Sequence, residues 1–433
     1  MDFCVSIATQ LILDQVKNGS SENILTSPMS INMMLNMVAS GSGGKTLEQF
    51  KEFLGSEGIN DFNDKSSIMM SLLASETAAA SSSDETETTK PMPKAMFDGA
   101  PQNPMPWESP YSSLRELPRK KRQRRPPLFS LAKALWVDNG FPLIPSFKEI
   151  TESIYKAQVK NVDFRTQAEQ VKKDVNSWVE NETKGLIQGL LSPDVELEPP
   201  LCLANALYFK GAWEHTFDIS MNLDKKFYLL NGETIEVSFM TFAYECRSYA
   251  SFDDYKVLKL PYQSGPQCTN KQFSMYFFLP HRRFGLQDMM EKFNSDRTIL
   301  EPKHLHLDEV RLSKVWIPKL KFSYSVDAIQ LIEDKGLTRP FDPMEADFTN
   351  MSNGSNVFIS RILHKSHIEV NAEGTEAAAV TFVEESDLFG SALDWSPPPP
   401  LPSFVADHPF MFMVVEEFSK LVVFSGAVLN PNE

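Results

Sequence analysis

A mixed α+β fold is predicted from three features of the sequence. Helix-type apolar spacing crowds the first 55 residues, helix and strand patterns alternate after residue 128, and two β-rich runs close the chain. The opening "MDFCVSIATQLILDQVKNGS" places Phe3, Ile7, Leu11 and Leu13 as an amphipathic helix. Its acidic second residue, with Gln10 and Asp14 breaking the apolar run, argues against a signal peptide. "NILTSPMSINMMLNMVASGSGG" then reads as a short strand, a helix and a glycine stop. Ser27 is the N-cap, Pro28 the first helical residue, and Ile31, Met34, Leu35 and Val38 recur at helical spacing. "KTLEQFKEFLG" follows as a helix with Leu47, Phe50 and Leu54 on one face and Gly55 as its stop.

Residues 75–127 break this pattern. They are rich in Ser, Thr and Pro and poor in aliphatics, which predicts a disordered insertion unable to bury enough apolar surface. Beyond it, "LFSLAKALWVDNG" resumes ordered patterning, and a helix is expected over 167–191. A buried strand is expected around "LCLANALYFKG", with strand-like runs at 273–280 and 310–326. "HPFMFMVVEE" and "KLVVFSGAVL" form the two closing β runs, separated by a short turn.

The 433 residues suggest two or three domains on length alone, and equally allow one large domain. A net charge of −15 argues against general nucleic-acid or membrane affinity. Cys4, Cys202, Cys246 and Cys268 are unclustered, as expected in a reducing compartment, and no apolar run is long enough to span a membrane. These features point to a cytoplasmic protein. The basic run "RKKRQRR" at 119–125 adds a nuclear-import reading, beside the plain one of a solvated charge run.

Several motifs are decoys. "GSGGKT" at 41–46 has Ala39 where a phosphate loop needs its first glycine, so a tight interhelical turn is expected. His304 and His306 alternate with Leu305 and Leu307, which suggests one exposed strand face and lacks a third metal ligand. No GxSxG or Cys-His signature is present, and no catalytic role, metal site or cofactor is expected. "DWSPPPPLPS" at 394–403 favours a stiff polyproline II spacer over a partner-docking segment.

One stretch resists assignment. "VNAEGTEAAAVTFVEESD" at 370–387 opens as a turn at Gly374, passes through helix-favouring Ala377, Ala378 and Ala379, then becomes β-branched at Val380. It fits a loop, a helix or a strand almost equally well.

With "NILTSPMSINMML", "NSWVENETKGLI", "NALYFKGAWEHTF", "IEVNAEGTEAAA" and "FVADHPFMF", in that order, the chain resembles the serpin family, and plant intracellular members in particular. The resemblance spans 1–74 and 128–433 and implies one domain of three β-sheets and about nine helices, with a reactive-centre loop region at 374–403. It implies a monomeric, non-enzymatic protease inhibitor whose partner is a chymotrypsin-like or papain-like protease. In such a mechanism the loop is cleaved and its hinge side inserts into the main sheet, which explains a segment that is loop first and strand later.

The resemblance also assigns residues. Glu373, Gly374, Thr375, Glu376, Ala377, Ala378 and Ala379 match the hinge, Val380 closes it where a small residue is usual, and Leu388–Phe389 is the reactive bond the resemblance implies. Ser27, Ser30, Asn205 and His364 match the polar shutter beneath the sheet, and Trp213 and Lys319 the breach where insertion begins. The chain departs from the pattern at Ala372, where an acidic residue is usual, so Lys319 is expected to lose an ion-pair partner. In an inserted strand Thr375, Ala377, Ala379, Thr381, Val383, Glu385 and Asp387 would share one face, bringing two carboxylates toward the core. Inhibition is therefore expected to be impaired, and a non-inhibitory binding or regulatory role is the alternative.

Overall fold

The computed structural model describes residues 2–73, 126–193, 195–197, 199–217, 219–265, 271–301, 304–354, 356–372 and 400–433, and within them the mixed helix-and-sheet class holds. The hinge at 373–380, the Leu388–Phe389 bond and nearly all of the 75–127 insertion lie outside the described residues.

The first part runs α1 (Asp2–Lys17), β1 (Ile24–Thr26), α2 (Pro28–Ala39), α3 (Gly44–Leu54) and α4 (Ile59–Leu73). Strand β2 (Leu128–Asp138), α5 (Pro145–Ser153), β3 (Gln158–Val162), α6 (Ala168–Glu182) and β4 (Leu201–Lys210) follow. Then come β5 (Leu223–Tyr228), β6 (Thr234–Phe242), β7 (Glu245–Ser251), β8 (Tyr255–Pro261), β9 (Phe273–Pro280) and α7 (Leu286–Ser295). The remainder is β10 (Asp308–Leu312), β11 (Lys314–Pro318), β12 (Leu320–Asp327), α8 (Ile329–Glu333), β13 (Ile359–Val370), β14 (Ser403–Val405), β15 (Phe410–Glu416) and β16 (Val422–Val428). Among the described residues this makes eight α-helices, against about nine expected.

The strands form three sheets. One has the order β1-β16-β15-β9-β8-β7-β10, one β14-β11-β6-β5, and one β12-β13-β4-β2-β3. The closing hairpin expected from the last two β runs is present, β15 pairing β16 antiparallel. The 310–326 run is not one strand but three, because Ser313 and Lys319 interrupt it and the segments join different sheets.

Helix α2 is buried along its whole length, packing on α1, α4, β4 and β16. An all-round apolar helix of this kind belongs inside a fold rather than on its surface. Its start follows the expected chemistry: the Ser27 hydroxyl accepts from the Ser30 N–H at 3.2 Å, and Pro28 occupies the first turn. The turn after it is the tight interhelical link expected of "GSGGKT". A Cβ at Gly41 would come within 2.7 Å of the Phe147 ring, so only glycine lets these parts approach.

Two expectations are corrected. Helix α6 stops at Glu182 rather than 191, because Lys184 and Gly185 take positive φ and the Gly185 N–H closes onto the Glu180 carbonyl. His304 and His306 lie in a turn and connection before β10, not on a strand. Their Nδ1 atoms sit 3.1 Å from the Thr298 carbonyl and 3.0 Å from the His304 carbonyl, respectively, local contacts that an extended strand would not make.

Candidate functional site

Strands β4 and β13 occupy the middle of the five-stranded sheet and run parallel. Their pairing continues from Arg361↔Cys202 to Glu369↔Lys210. Both are buried along most of their length, as the apolar run "LCLANALYF" requires of a strand covered on both faces. Beyond β13 the chain reaches Asn371 and Ala372; it is described again from Pro400, before β14 in a different sheet. The seam between β4 and β13 therefore lies directly upstream of the segment with ambiguous structural preference.

The inner face of this seam carries the polar residues that the sequence singled out. His364 and Asn205 are register partners, so their side chains share a face. The Ser27 N–H donates to His364 Nε2 at 3.0 Å, and the Ser27 hydroxyl donates to the Val423 carbonyl at 2.7 Å. The Ser30 hydroxyl donates to the Ser27 carbonyl at 3.2 Å. A backbone N–H can only donate, so Nε2 accepts and the His364 proton resides on Nδ1. Burial pushes the imidazole pKa down to about 3, and the ring is neutral at physiological pH. Neither His364 Nδ1 nor either polar atom of the Asn205 side chain has a hydrogen-bond partner among the described residues.

Two residues of this layer were missed by sequence reasoning. The Ser366 hydroxyl lies 2.8 Å from His364 Nε2. Lys133 on β2 is the register partner of Asn205, extending the row to His364–Asn205–Lys133 across three strands. The signal for Lys133 was present in the sequence: alternation puts it on one face with Leu131 and Leu135.

On the outer face the same seam is tied by charge and aromatic contact. Glu369 accepts from Lys210 Nζ at 2.8 Å, from Asn371 Nδ2 at 3.1 Å and from the Tyr208 hydroxyl at 3.4 Å. Burial raises the Glu369 carboxyl pKa, but Lys210, Lys321 and Tyr208 outweigh it and hold the group below the ordinary glutamate value. One pair down, the Tyr208 ring stacks on His367 with centroids 5.2 Å apart. Lys365 reaches from β13 to the Gln188 and Gly189 carbonyls at 2.9 and 2.6 Å, pinning the loop after α6.

At the upper end of the seam Trp213 stacks on Tyr262, with centroids 4.4 Å apart and planes 10° from parallel. Its indole N–H donates to the Asn371 carbonyl at 3.2 Å. A Cβ at Gly211 would meet the Tyr262 ring at 2.5 Å, so glycine is required for this close stack. Ala372 is buried and offers no carboxylate, and half-buried Lys319 has no ion pair among the described residues.

Among the described residues no group of three or more His, Cys, Asp or Glu side chains is placed to hold a metal ion, and no helix is long and apolar enough to cross a membrane.

Comparison with known proteins gives a consistent answer. The family model described as Serpin (serine protease inhibitor) matches residues 1–431. Serpin-ZXA of Oryza sativa subsp. japonica is 35% identical over 421 residues, covering 95% of this chain and 91% of its own. Serpin-Z10 of Arabidopsis thaliana is 35% identical over 433 residues, covering 98% and 95%. Arabidopsis AtSerpin1, solved in a native stressed conformation, superposes with a TM-score of 0.76 at 32% identity, covering 100% of both chains.

Proposed function

The chain belongs to the serpin family, and from that premise we propose that it inhibits proteases by presenting the segment between β13 and β14 as bait and inserting it, once cut, between β13 and β4. The observation that carries this reading is the direct parallel pairing of β4 with β13 at the centre of the sheet. A strand that turns back from the end of β13 runs antiparallel to both. Its entry replaces one parallel ladder by two antiparallel ones, a net gain in backbone pairing of the better type. A sheet closed in this way stores the driving force for insertion.

In this reading Glu373 to Val380 form the hinge and Leu388–Phe389 is the reactive bond. Leucine followed by phenylalanine suits a chymotrypsin-like or papain-like cleft for large apolar side chains, whereas Asp387 would suit an aspartate-specific enzyme. Ser27, Ser30, Asn205 and His364 act as the shutter, and Trp213 with Lys319 as the breach. Inhibition is inefficient, because Glu385 and Asp387 must enter beside an apolar core and Lys319 lacks an acidic partner at the entry point.

The test is incubation with a protease panel, followed by a denaturing gel. A covalent complex accompanied by a larger amount of cleaved chain is the expected pattern. Cleavage with no complex by any protease would favour a non-inhibitory serpin acting as a binding or regulatory protein.

A further inference from the structure

Lys133 is the one lysine among the described residues that is almost wholly withdrawn from solvent, 3% exposed in the interior of the five-stranded sheet. Lysine is almost never fully buried without a counter-charge. Here the one hydrogen bond of its ammonium or amine nitrogen among the described residues goes to the Met70 thioether of α4, at 3.0 Å, a weak acceptor. Its neighbour across the ladder is Asn205, whose amide has no partner, and beyond Asn205 lies His364 with an unpartnered Nδ1.

Among the described residues, the groups facing this layer supply no compensating charge. Strand β4 brings Asn205, β13 brings His364 held neutral by burial, and α4 brings Ser66 and Met70. The approach to β3 brings Tyr155, whose hydroxyl donates to Asn63 of α4 and whose pKa burial raises, keeping it uncharged. Helix α6 covers the opposite face of β2 with Val171, Val175 and Trp178. Among the described residues, nothing in this shell carries a charge opposite to an ammonium group.

We propose that Lys133 is a proton-coupled element of the sheet: it is favoured uncharged while β4 and β13 are paired, and separation of the two strands takes up a proton at its amine. The inference rests on the reading that this sheet opens to admit a strand, and names a control on that step. When β4 leaves β13, water reaches the inner face at Asn205. The flexible stem of Lys133 lets its amine follow along the row past Asn205.

Burial lowers the Lys133 pKa to about 7 in the closed sheet, against an ordinary value near 10.5. Between those values the open form is protonated and the closed form is not, so the opening equilibrium falls as pH rises, by about tenfold per pH unit. Below pH 7 both forms are charged and the dependence vanishes. The sheet is thus poised to open most readily at and below neutral pH and is locked in alkaline solution.

The experiment is amide hydrogen exchange on intact, uncleaved protein, read on peptides covering 201–210 and 359–370, for the wild type and Lys133→Met. Comparing the two at each pH cancels intrinsic exchange and shared titrations. The expected result is an opening equilibrium higher in the wild type at pH 7.5, with the ratio falling about tenfold per unit toward pH 9.5. A ratio that stays flat overturns the proposal. Should Lys133→Met fail to fold, Lys133→Gln serves, and NMR titration of isotope-labelled lysine in the wild type reads the group directly; a titration near 10.5 overturns the proposal as well. Neither readout uses a protease. Failure to form a covalent complex with any protease therefore rejects the inhibitory reading alone, and a flat ratio in a protein that traps protease rejects this inference alone.

Discussion

Glu369 and Lys210 face one another across the two central parallel strands, their charged ends 2.8 Å apart at the last register pair of the seam. They tie together the two strand ends at the close of the seam.

Removing this tie is expected to loosen the closed sheet. Lys210 is half-exposed, so Glu369→Gln should cost no more than about 1 kcal/mol. Because the Glu369 pKa lies below its unfolded value, its contribution is present above the ordinary glutamate pKa and is lost as pH falls through the lowered folded value. Denaturant titrations across pH 7 to 3 check this: the two proteins should differ at pH 7, and the difference should shrink as the pH falls. A difference that persists in acid would assign the effect to packing.

His364 should dominate a second pH dependence with the same sign. Its pKa is about 3 folded and near 6.5 unfolded, so between those values only the unfolded chain holds the extra proton. Stability should therefore drop as pH falls from 6.5 to 3, by on the order of 4 kcal/mol for this group. His364→Gln should flatten that slope, while lowering stability at pH 7 by about 1–3 kcal/mol through the unpaired Ser27 N–H. An unchanged slope in the variant would remove His364 from this role.

Trp213 should behave as an anchor for the upper end of β13. Trp213→Ala deletes the stack on Tyr262 and the hydrogen bond to the Asn371 carbonyl, and is expected to cost about 3–5 kcal/mol. Trp213→Phe retains the aromatic contact and loses only the donor, so it should fall between alanine and wild type by chemical denaturation. Equal losses in the two variants would show that the hydrogen bond, not the stack, matters.

Inhibition should improve when the entry point regains its charge pair. Ala372→Glu together with Glu385→Ala and Asp387→Ala is expected to raise the ratio of covalent complex to cleaved chain. Ala372 is buried, so the new carboxylate is tolerated only if it meets a cation, and half-buried Lys319 is the candidate. Adding Lys319→Met to the triple variant should then cancel part of the gain and lower stability. Trapping by the unmodified protein at near one inhibitor per enzyme would show that these positions do not limit insertion.

Local chemistry was legible in the sequence wherever neighbours along the chain decide the outcome. Ser27 caps α2 because a hydroxyl before a proline-led helix meets the free N–H groups of its first turn. Gly55 ends α3 in the left-handed conformation because a Cβ there carries a steric penalty. The runs ending at Glu416 and beginning at Val422 form a hairpin for the same local reason, a short turn between two β-rich segments.

From the chain alone the class of fold and about half of the elements could be read and, through matched motifs, the polar residues Ser27, Ser30, Asn205 and His364. Packing in three dimensions sets β13 beside β4, 159 residues away along the chain, and makes Lys133 complete their polar row. Strand order is set by which apolar faces fit together, a property of the assembled layers rather than of any window of sequence. The same cause explains the misread stretches. The 167–191 pattern is apolar beyond Glu182 because Ile187, Leu190 and Leu191 pack onto the sheet as a folded-back loop, not because the helix continues. A lysine on an apolar stripe was visible in "LAKALW", but only its burial against α4, seen in the assembled fold, lowers its pKa.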